Sequence, residues 1–285
     1  MGRSDFWQHF KRQRTALVGG TWILVLTIVA LAGPVLRPDP TPYANDQHLD
    51  QALLPPMTSD ADGTFHVLGT DRFGRDFLSR LMAGSGISLG VGAMAVLISL
   101  LIGVPLGAYA GYRGGWPDAL IRWLIQVVWT LPTVLMVLAI ALAFGKGLVQ
   151  IFIAIGLTMW VDVARVVRGV VLSIKEETYI EAARGLGLST PVILRRHVLP
   201  NAMGPILVLA ASNFATAILV EAGLSFLGVG AQIPAPSWGN IVQAHSHMIT
   251  GAHAHLALAP CLLIVSVVLG FTFLGDGLRA VLDRH

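Results

Sequence analysis

The chain has 285 residues, of which 54% are apolar and only 12% are charged, and its mean hydropathy is +0.70. Soluble domains carry about 25% charged residues, so this composition excludes an ordinary soluble enzyme or binding domain. The net charge of +3 is small, and the charges follow the pattern of a membrane topology rather than that of a nucleic-acid surface.

Six apolar runs are long enough to cross a hydrocarbon core of about 30 Å, since an α-helix rises 1.5 Å per residue. The sequence therefore predicts an all-α, polytopic membrane protein with six transmembrane helices. The predicted spans are Leu17–Leu36, Ser88–Tyr109, Leu120–Phe144, Leu148–Val166, Pro205–Val229 and Leu256–Gly275.

These spans divide the chain into three segments. Residues 1–37 form a cytoplasmic N-terminus and the first span, and residues 38–84 form an extracytoplasmic loop rich in Pro and Asp. Residues 85–285 form a five-span core, which includes a polar loop at residues 167–204.

Basic residues are distributed unevenly between the two ends of the spans. Cytoplasmic segments of membrane proteins are enriched in Lys and Arg, so we expect both termini and the loop at residues 167–204 to lie in the cytoplasm. The residues assigned to that side are Lys11, Arg12, Arg14, Arg113, Arg122, Arg165, Arg168, Lys175, Arg184, Arg195, Arg196, Arg279 and Arg284. The other side has Arg37, Arg72, Arg75, Arg80 and Lys146, and its long loop is acidic.

The end of the extracytoplasmic loop has an apolar stripe at helical spacing. From Arg72 to Met82, opposite charges also stand four residues apart, at Arg72 and Asp76 and at Asp76 and Arg80. We expect a short amphipathic helix that lies on the outer membrane surface before the second span. The stripe consists of Phe73, Phe77, Leu78, Leu81 and Met82.

Gly103, Gly107 and Gly111 recur every four residues in the second span. This spacing aligns small residues on one helix face and predicts that another helix backbone packs closely there. The alternative is that glycine is simply frequent, since the chain contains 31.

The polar loop predicts two short helices that meet at a glycine. Good helix formers run from Glu176 to Leu186, and Gly187 stands where a helix C-terminal glycine ends a helix. Thr190 followed by Pro191 is typical of a helix start, and we expect Pro200 to close this second helix. Ala182 and Ala183 are predicted to leave a low surface that a partner groove can approach.

A longer motif in this loop resembles the coupling loop of binding-protein-dependent ABC importers. The family pattern is Glu-Ala-Ala, three residues, Gly, nine residues and Ile-x-Leu-Pro. Here His197 replaces the Ile. The matching residues are Glu181, Ala182, Ala183, Gly187, Leu199 and Pro200.

Further segments resemble the dipeptide, oligopeptide and nickel branch of the same family, and specifically the second, or C, component of its permease pair. The matching positions are His66–Leu81, Arg165, Arg168, Glu221–Gly228, Pro236–Gly239 and Gly275–Arg279. The resemblance implies a type I ABC importer permease fold in the cytoplasmic (inner) membrane. It also implies a homologous permease partner, two ATPase subunits that bind ATP and Mg, and an extracytoplasmic solute-binding protein.

The expected function is translocation of di- or oligopeptides, with coupling to the ATPases through the Glu-Ala-Ala motif. The chain has no phosphate-loop motif, because Gly145-Lys146-Gly147 lacks the upstream glycine, so we expect no catalytic residues and no cofactor in this chain. One alternative is import of nickel or a metal chelate on the same architecture. Another is a stand-alone channel or ion-coupled carrier, which would leave the coupling motif without a role.

Polar residues within the fifth predicted span are candidates for the translocation path. A carboxylate at bilayer depth costs a few kcal/mol, so Glu221 is expected to have a functional or pairing role. Asn213 and Thr216 share a helix face that can line a path. Hydrogen bonding between helices is the alternative for all three residues.

Four histidines lie between the last two predicted spans and are the only candidate metal ligands: His245, His247, His253 and His255. Paired His-x-His sequences can bind a metal, as in a membrane enzyme with a histidine box. No Asp, Glu or Cys nearby completes such a site, so we expect solvated side chains and no metal.

Overall fold

The computed structural model describes residues 13–61 and 63–282, and its long elements are helices. The first part of the chain forms α1 (Arg14–Leu36), 3-10 turns at Pro42–Ala44 and Leu49–Gln51, a hairpin of β1 (Thr58–Ser59) and β2 (Phe65–His66), and α2 (Phe77–Arg113). The middle forms α3 (Gly115–Trp129), α4 (Thr133–Phe144), α5 (Leu148–Lys175) and α6 (Thr178–Gly185). The last part forms α7 (Thr190–Ile193), a π turn at Leu194–Val198, α8 (Leu199–Phe226), α9 (Trp238–His245), a 3-10 turn at Ser246–Met248 and α10 (His255–Leu282).

The predicted all-α, polytopic architecture is confirmed. Within the described residues, five helical stretches are long and apolar enough to cross a membrane: α1, α2, α5, the continuous stretch Thr190–Phe226, and α10. A sixth span is present if the bent pair of α3 and α4 is taken as one crossing.

The third predicted span, Leu120–Phe144, is not the single helix that we expected. It is broken between Trp129 and Thr133, and α3 and α4 meet there at 91°. Pro132 has no N–H to donate and disfavours helical geometry at the preceding residue, Leu131. Pro132 therefore separates two helices and is the N-cap residue of the second one.

The predicted close packing at the glycine stripe is confirmed, and it joins α2 to α5. A Cβ atom added at Gly107 would lie 2.4 Å from the carbonyl oxygen of Ala164. The same atom added at Gly103 would lie 2.6 Å from the oxygen of Trp160, and at Gly111 2.8 Å from that of Arg168. Only residues without a Cβ allow this approach along three successive turns.

The predicted surface helix before the second span is wrong. Helix α2 starts at Phe77 and continues without a break to Arg113, while Phe73 and Gly74 lie in a turn before it. Phe77 is fully buried in a cluster with Trp238 of α9 and with residues of α1 and α10. Phe77 and Leu81 of the stripe are therefore part of the protein core, while Phe73, Leu78 and Met82 are half-buried.

The charged pairs that we expected in that stripe are replaced by tertiary contacts. Asp76 caps α2 by accepting a hydrogen bond from the N–H of Ser79 at 2.7 Å, and its other oxygen lies 2.7 Å from Nδ1 of His66. Arg80 donates to the carbonyl oxygens of Tyr43 and Pro234 at 3.0 and 3.1 Å. The Asp76 carboxylate and the Arg80 guanidinium thus find their hydrogen-bond partners in the helix cap and in distant segments, and not in each other.

Glycine packing between α2 and α5 generates a stability prediction. Replacing Gly107 with Ala adds a methyl group against a helix backbone that cannot rotate away, so we expect a loss of about 1–3 kcal/mol of stability. Gly90 is a matched control on the same helix, because a Cβ there meets nothing within 4 Å. Gly90→Ala should keep or slightly raise stability, since Ala favours helix.

The measurement is the midpoint of thermal unfolding of each purified variant in the same detergent. Equal midpoints for the Gly107→Ala and Gly90→Ala proteins would contradict the packing argument.

Candidate functional site at the Glu-Ala-Ala segment

Helix α6 carries the Glu-Ala-Ala motif and ends in a glycine cap. Gly187 has φ of 78°, in the left-handed region. Its N–H donates to the oxygen of Arg184 at 2.9 Å, and the N–H of Leu188 donates to the oxygen of Ala183 at 3.2 Å. These two bonds form a Schellman motif, which satisfies the last carbonyls of a helix. The helix break that we predicted at Gly187 is therefore present.

The second helix differs from the prediction at both ends. It starts one residue earlier than expected, because Ser189 is the N-cap and Pro191 occupies the first turn. Pro200 does not close it, since helical structure continues through the π turn into α8. In that turn the N–H of Leu199 bonds to the oxygen of Leu194, five residues back, and this wider turn accommodates the missing N–H of Pro200.

The segment of α6, α7 and their connection has a buried face and an exposed face. Ile180, Ala183 and Ile193 are buried in one apolar cluster with Val171 of α5 and Ala202 of α8. The segment is thus packed onto the ends of two long helices, rather than lying free in solvent.

The exposed face carries Glu181, Ala182, Gly187 and Pro200, together with Leu186, which is 81% exposed. Ala182 therefore lies on the surface as predicted, whereas Ala183 does not, because it faces the core. Leu186 and Ala182 stand four residues apart, and both are exposed.

An aromatic contact attaches α6 to the end of α2. The guanidinium of Arg184 lies 5.0 Å from the ring centroid of Tyr112, and its Nε donates to the Tyr112 hydroxyl at 3.1 Å. This contact joins residues 72 positions apart. No pattern in the sequence indicates this contact, because both residues look like ordinary interfacial side chains.

Glu221 lies in a buried hydrogen-bond network between α8, α2 and α9. It is 1% exposed, and it accepts hydrogen bonds from the hydroxyls of Ser225 at 2.6 Å and Ser88 at 3.1 Å. The Ser88 oxygen in turn accepts from the N–H of Trp238 at 3.2 Å. This geometry favours the pairing role over a position on an open path.

The two other path candidates lie in different environments. Asn213 is buried, and its amide nitrogen has no hydrogen-bond partner among the described residues. Thr216 is exposed, and its hydroxyl donates to the oxygen of Ser212 at 3.1 Å within its own helix. The structure does not bring Asn213, Thr216 and Glu221 together around one cavity, and their role in a path stays a prediction.

The histidines do not form a cluster around one point. His245 ends α9 and is buried, contrary to the solvated loop position that we expected, and its Nδ1 lies 2.9 Å from the oxygen of Ile241. Burial lowers the pKa of His245 below its usual range, which favours the neutral ring. His247 is exposed, while His253 and His255 are half-buried. Over residues 13–61 and 63–282, no group of three potential ligands has the geometry of a metal site.

Helix α9 was missed by the sequence analysis, although a signal for it is present. Ser237 and Asn240 form a capping box, in which each side chain accepts a hydrogen bond from the other residue's N–H. This pattern of Ser followed three residues later by Asn is close to the standard start signal of a helix. The helix buries Trp238 and His245.

Comparison with known proteins places the chain in a family. The family described as "Binding-protein-dependent transport system inner membrane component" matches residues 103–285, which is more than half of the chain. The chain belongs to this family. A second family, described as "N-terminal TM domain of oligopeptide transport permease C", matches residues 3–56 of the permease.

Several curated relatives span nearly the whole permease. It is 38% identical over 280 residues to the glutathione transport system permease protein GsiD of Pectobacterium atrosepticum, covering 98% of this chain and 90% of that protein. It is 39% identical over 279 residues to the dipeptide transport system permease protein DppC of Bacillus subtilis, covering 98% and 84%. The predicted membership of the ABC importer permeases is confirmed.

A solved transporter has the same core fold. The permease matches a chain of the inward-facing methionine ABC transporter MetNI with a TM-score of 0.59 and 21% identity, covering 72% of the permease and 96% of that chain. A second crystal form of that transporter gives a TM-score of 0.56 at 23% identity, covering 70% and 95%. The predicted importer-permease fold is therefore confirmed.

The Glu221 network in the permease predicts a structural role that can be tested. Glu221→Ala removes both acceptor oxygens and leaves the hydroxyls of Ser88 and Ser225 buried without this partner, so we expect a loss of about 1–3 kcal/mol or more. Glu221→Gln keeps an acceptor and should lose less. Exposed Glu177→Ala is the control and should change little.

Thermal unfolding in detergent measures the effect. A Glu221→Ala protein that is as stable as the parent but fails to transport would instead support a role in the translocation path.

Proposed function

We propose that this permease is one of two transmembrane subunits of an ABC importer for short peptides. The observation that supports this proposal is the Glu-Ala-Ala segment, whose inner face packs on α5 and α8 and whose outer face is exposed. A partner that presses on the exposed face moves α5 and α8 as well, because the buried face of the segment is packed against both helices. Among the relatives, one is named for a dipeptide and one for glutathione, which is itself a peptide.

Energy for this movement comes from separate subunits in our proposal. The sequence has no phosphate loop, and two ATPase subunits with bound ATP and Mg would dock under Ala182 and Leu186. A homologous permease completes the path, and a solute-binding protein delivers the peptide at the opposite end. Alternating access follows when closure of the ATPases is transmitted through residues 181–200 to α5 and α8.

Orientation is the first test. The hairpin of β1 and β2 lies at the start of α2, and α9 packs there, whereas the Glu-Ala-Ala segment lies at the other end of α5 and α8. We expect reporter fusions at Asp60 and Gln243 to report the extracytoplasmic side and a fusion at Ser189 to report the cytoplasm. A cytoplasmic signal from Asp60 would contradict the proposed topology.

The glycine cap is the second test, and it addresses coupling. Gly187→Val should abolish most uptake while leaving insertion intact, because a β-branched residue at φ of 78° costs at least about 1–2 kcal/mol and opens the connection. Gly185→Val is the matched control. Gly185 is also exposed, two residues away, with no atom within 4 Å of an added Cβ and without a positive φ.

Uptake of labelled peptide by cells with the complete transporter measures coupling, and the amount of permease in the membrane fraction measures insertion. Normal uptake by the Gly187→Val transporter would show that the glycine cap is not needed for coupling.

Substrate class is the third test. We expect cells with the complete importer to accumulate a labelled di- or oligopeptide and not nickel. The double variant His247→Ala and His253→Ala should transport the peptide at the parent rate, because neither side chain contacts the α5 and α8 core. His245 is kept, since its burial makes substitution a change of stability. Nickel uptake that depends on His247 and His253, without peptide uptake, would establish the metal alternative.

A further inference from the structure

A cationic pocket lies between α3 and α5, and none of its lining residues belongs to the Glu-Ala-Ala segment. Its volume is about 280 Å³, and it is lined by Arg122, Ile125, Gln126, Trp129, Arg165 and Arg168. Three guanidinium groups therefore surround a space that is large enough for a phosphate group.

The pocket keeps an excess of positive charge. Asp118 forms a two-point hydrogen bond with Arg168, in which the NH2 group lies 2.8 Å from Oδ2. Arg122 approaches the same carboxylate at 3.3 Å, but its side chain is 54% exposed. Asp118 and Asp162, which lies beside Trp129, supply two negative charges against three arginines, and Arg168 makes the shortest contacts with Asp118.

Of the three arginines that line the pocket, Arg165 has the most N–H donors available for a ligand. Its guanidinium carbon lies over the Trp129 ring, 4.0 Å from the centroid, and the Trp129 indole N–H donates a 2.9 Å hydrogen bond to Asp162. Across the described part of the chain, no carboxylate forms an ion pair with Arg165 and no acceptor takes its N–H groups. The side chain is held in place by stacking while its edge stays free to donate.

Neighbouring residues place the pocket at a membrane boundary. Gly111 of α2 packs against Arg168 only two residues before α2 ends, so the pocket lies where the apolar part of the helix pair stops. On α3, the exposed side chains beside the pocket are apolar and include Trp123, Leu124, Val127 and Trp129. Exposed indoles next to arginines are typical of the interface between hydrocarbon and headgroups.

We propose that this pocket binds the phosphate of an anionic phospholipid. Arg122 and Arg165 donate charge-assisted hydrogen bonds to the phosphate oxygens, and Gln126 adds an amide donor. The acyl chains cover the exposed apolar side of α3. Arg168 stays paired with Asp118 and holds α3 against α5, which keeps the pocket in shape.

Native mass spectrometry of the purified, complete importer tests the site. The importer is incubated in detergent with equal amounts of phosphatidylglycerol and phosphatidylcholine, and retained lipid is counted per permease. The parent should retain phosphatidylglycerol preferentially. The double variant Arg122→Gln and Arg165→Gln should retain about tenfold less, because two charge-assisted hydrogen bonds are lost.

Two further variants separate the pocket from general charge and from folding. Arg14→Gln with Arg113→Gln removes the same charge from exposed positions outside the pocket and outside the coupling segment, and should retain phosphatidylglycerol as the parent does. Gln126→Glu keeps all three arginines and adds a negative charge among them, so it should also lower retention. This second route remains informative if the double arginine variant does not fold.

Three results would overturn the proposal. The first is unchanged retention in the Gln126→Glu protein and in a folded double arginine variant. The second is complete displacement of phosphatidylglycerol by millimolar inorganic phosphate, which would assign the pocket to free phosphate. The third is loss of the partner permease from pocket variants with lipid retention unchanged, which would assign the surface to the subunit interface.

Discussion

The backbone contact between α2 and α5 is the constraint on which the other positions depend. No water is available inside a bilayer, so helices are joined by close packing and not by the hydrophobic effect. Three glycines, Gly103, Gly107 and Gly111, bring the two backbones together in the C-terminal half of α2. The end of α5 is thereby placed beside Tyr112, and the Glu-Ala-Ala segment that follows α5 can reach the Tyr112 ring through Arg184.

The spans and the glycine stripe were predictable because they depend on local composition and a short repeat. The effect of individual prolines was not. Pro132 separates two helices, whereas Pro200 lies inside a continuous helical stretch. A π turn before Pro200 rearranges the hydrogen bonds, and no such turn precedes Pro132. The outcome depends on how neighbouring helices pack, and a single segment does not contain that information.

In the candidate site, too, local features could be predicted and contacts between distant segments could not. Gly187 follows from helix-end chemistry within ten residues, so its position was correct. Glu221, by contrast, is paired with Ser88, 133 residues away, and Ser88 also binds the backbone of Trp238. The burial of Phe77 and His245 likewise depends on contacts between distant segments. The sequence therefore singles out Gly187 and Glu221 as unusual residues. The partners of Glu221 become known only from the three-dimensional structure.

The π turn that carries the chain past Pro200 has a mechanical consequence. The chain turns at Gly187, whereas α7, the π turn and α8 form one continuous helical stretch, Thr190–Phe226, so they act as one lever with α7 as its short arm. Helix α8 has 28 residues, which corresponds to a long arm of about 42 Å. A tilt of about 5° at its base displaces its far end by about 4 Å over that length. Motion that is too small to alter packing near the fulcrum is thus amplified where Glu221 joins α8 to α2 and α9.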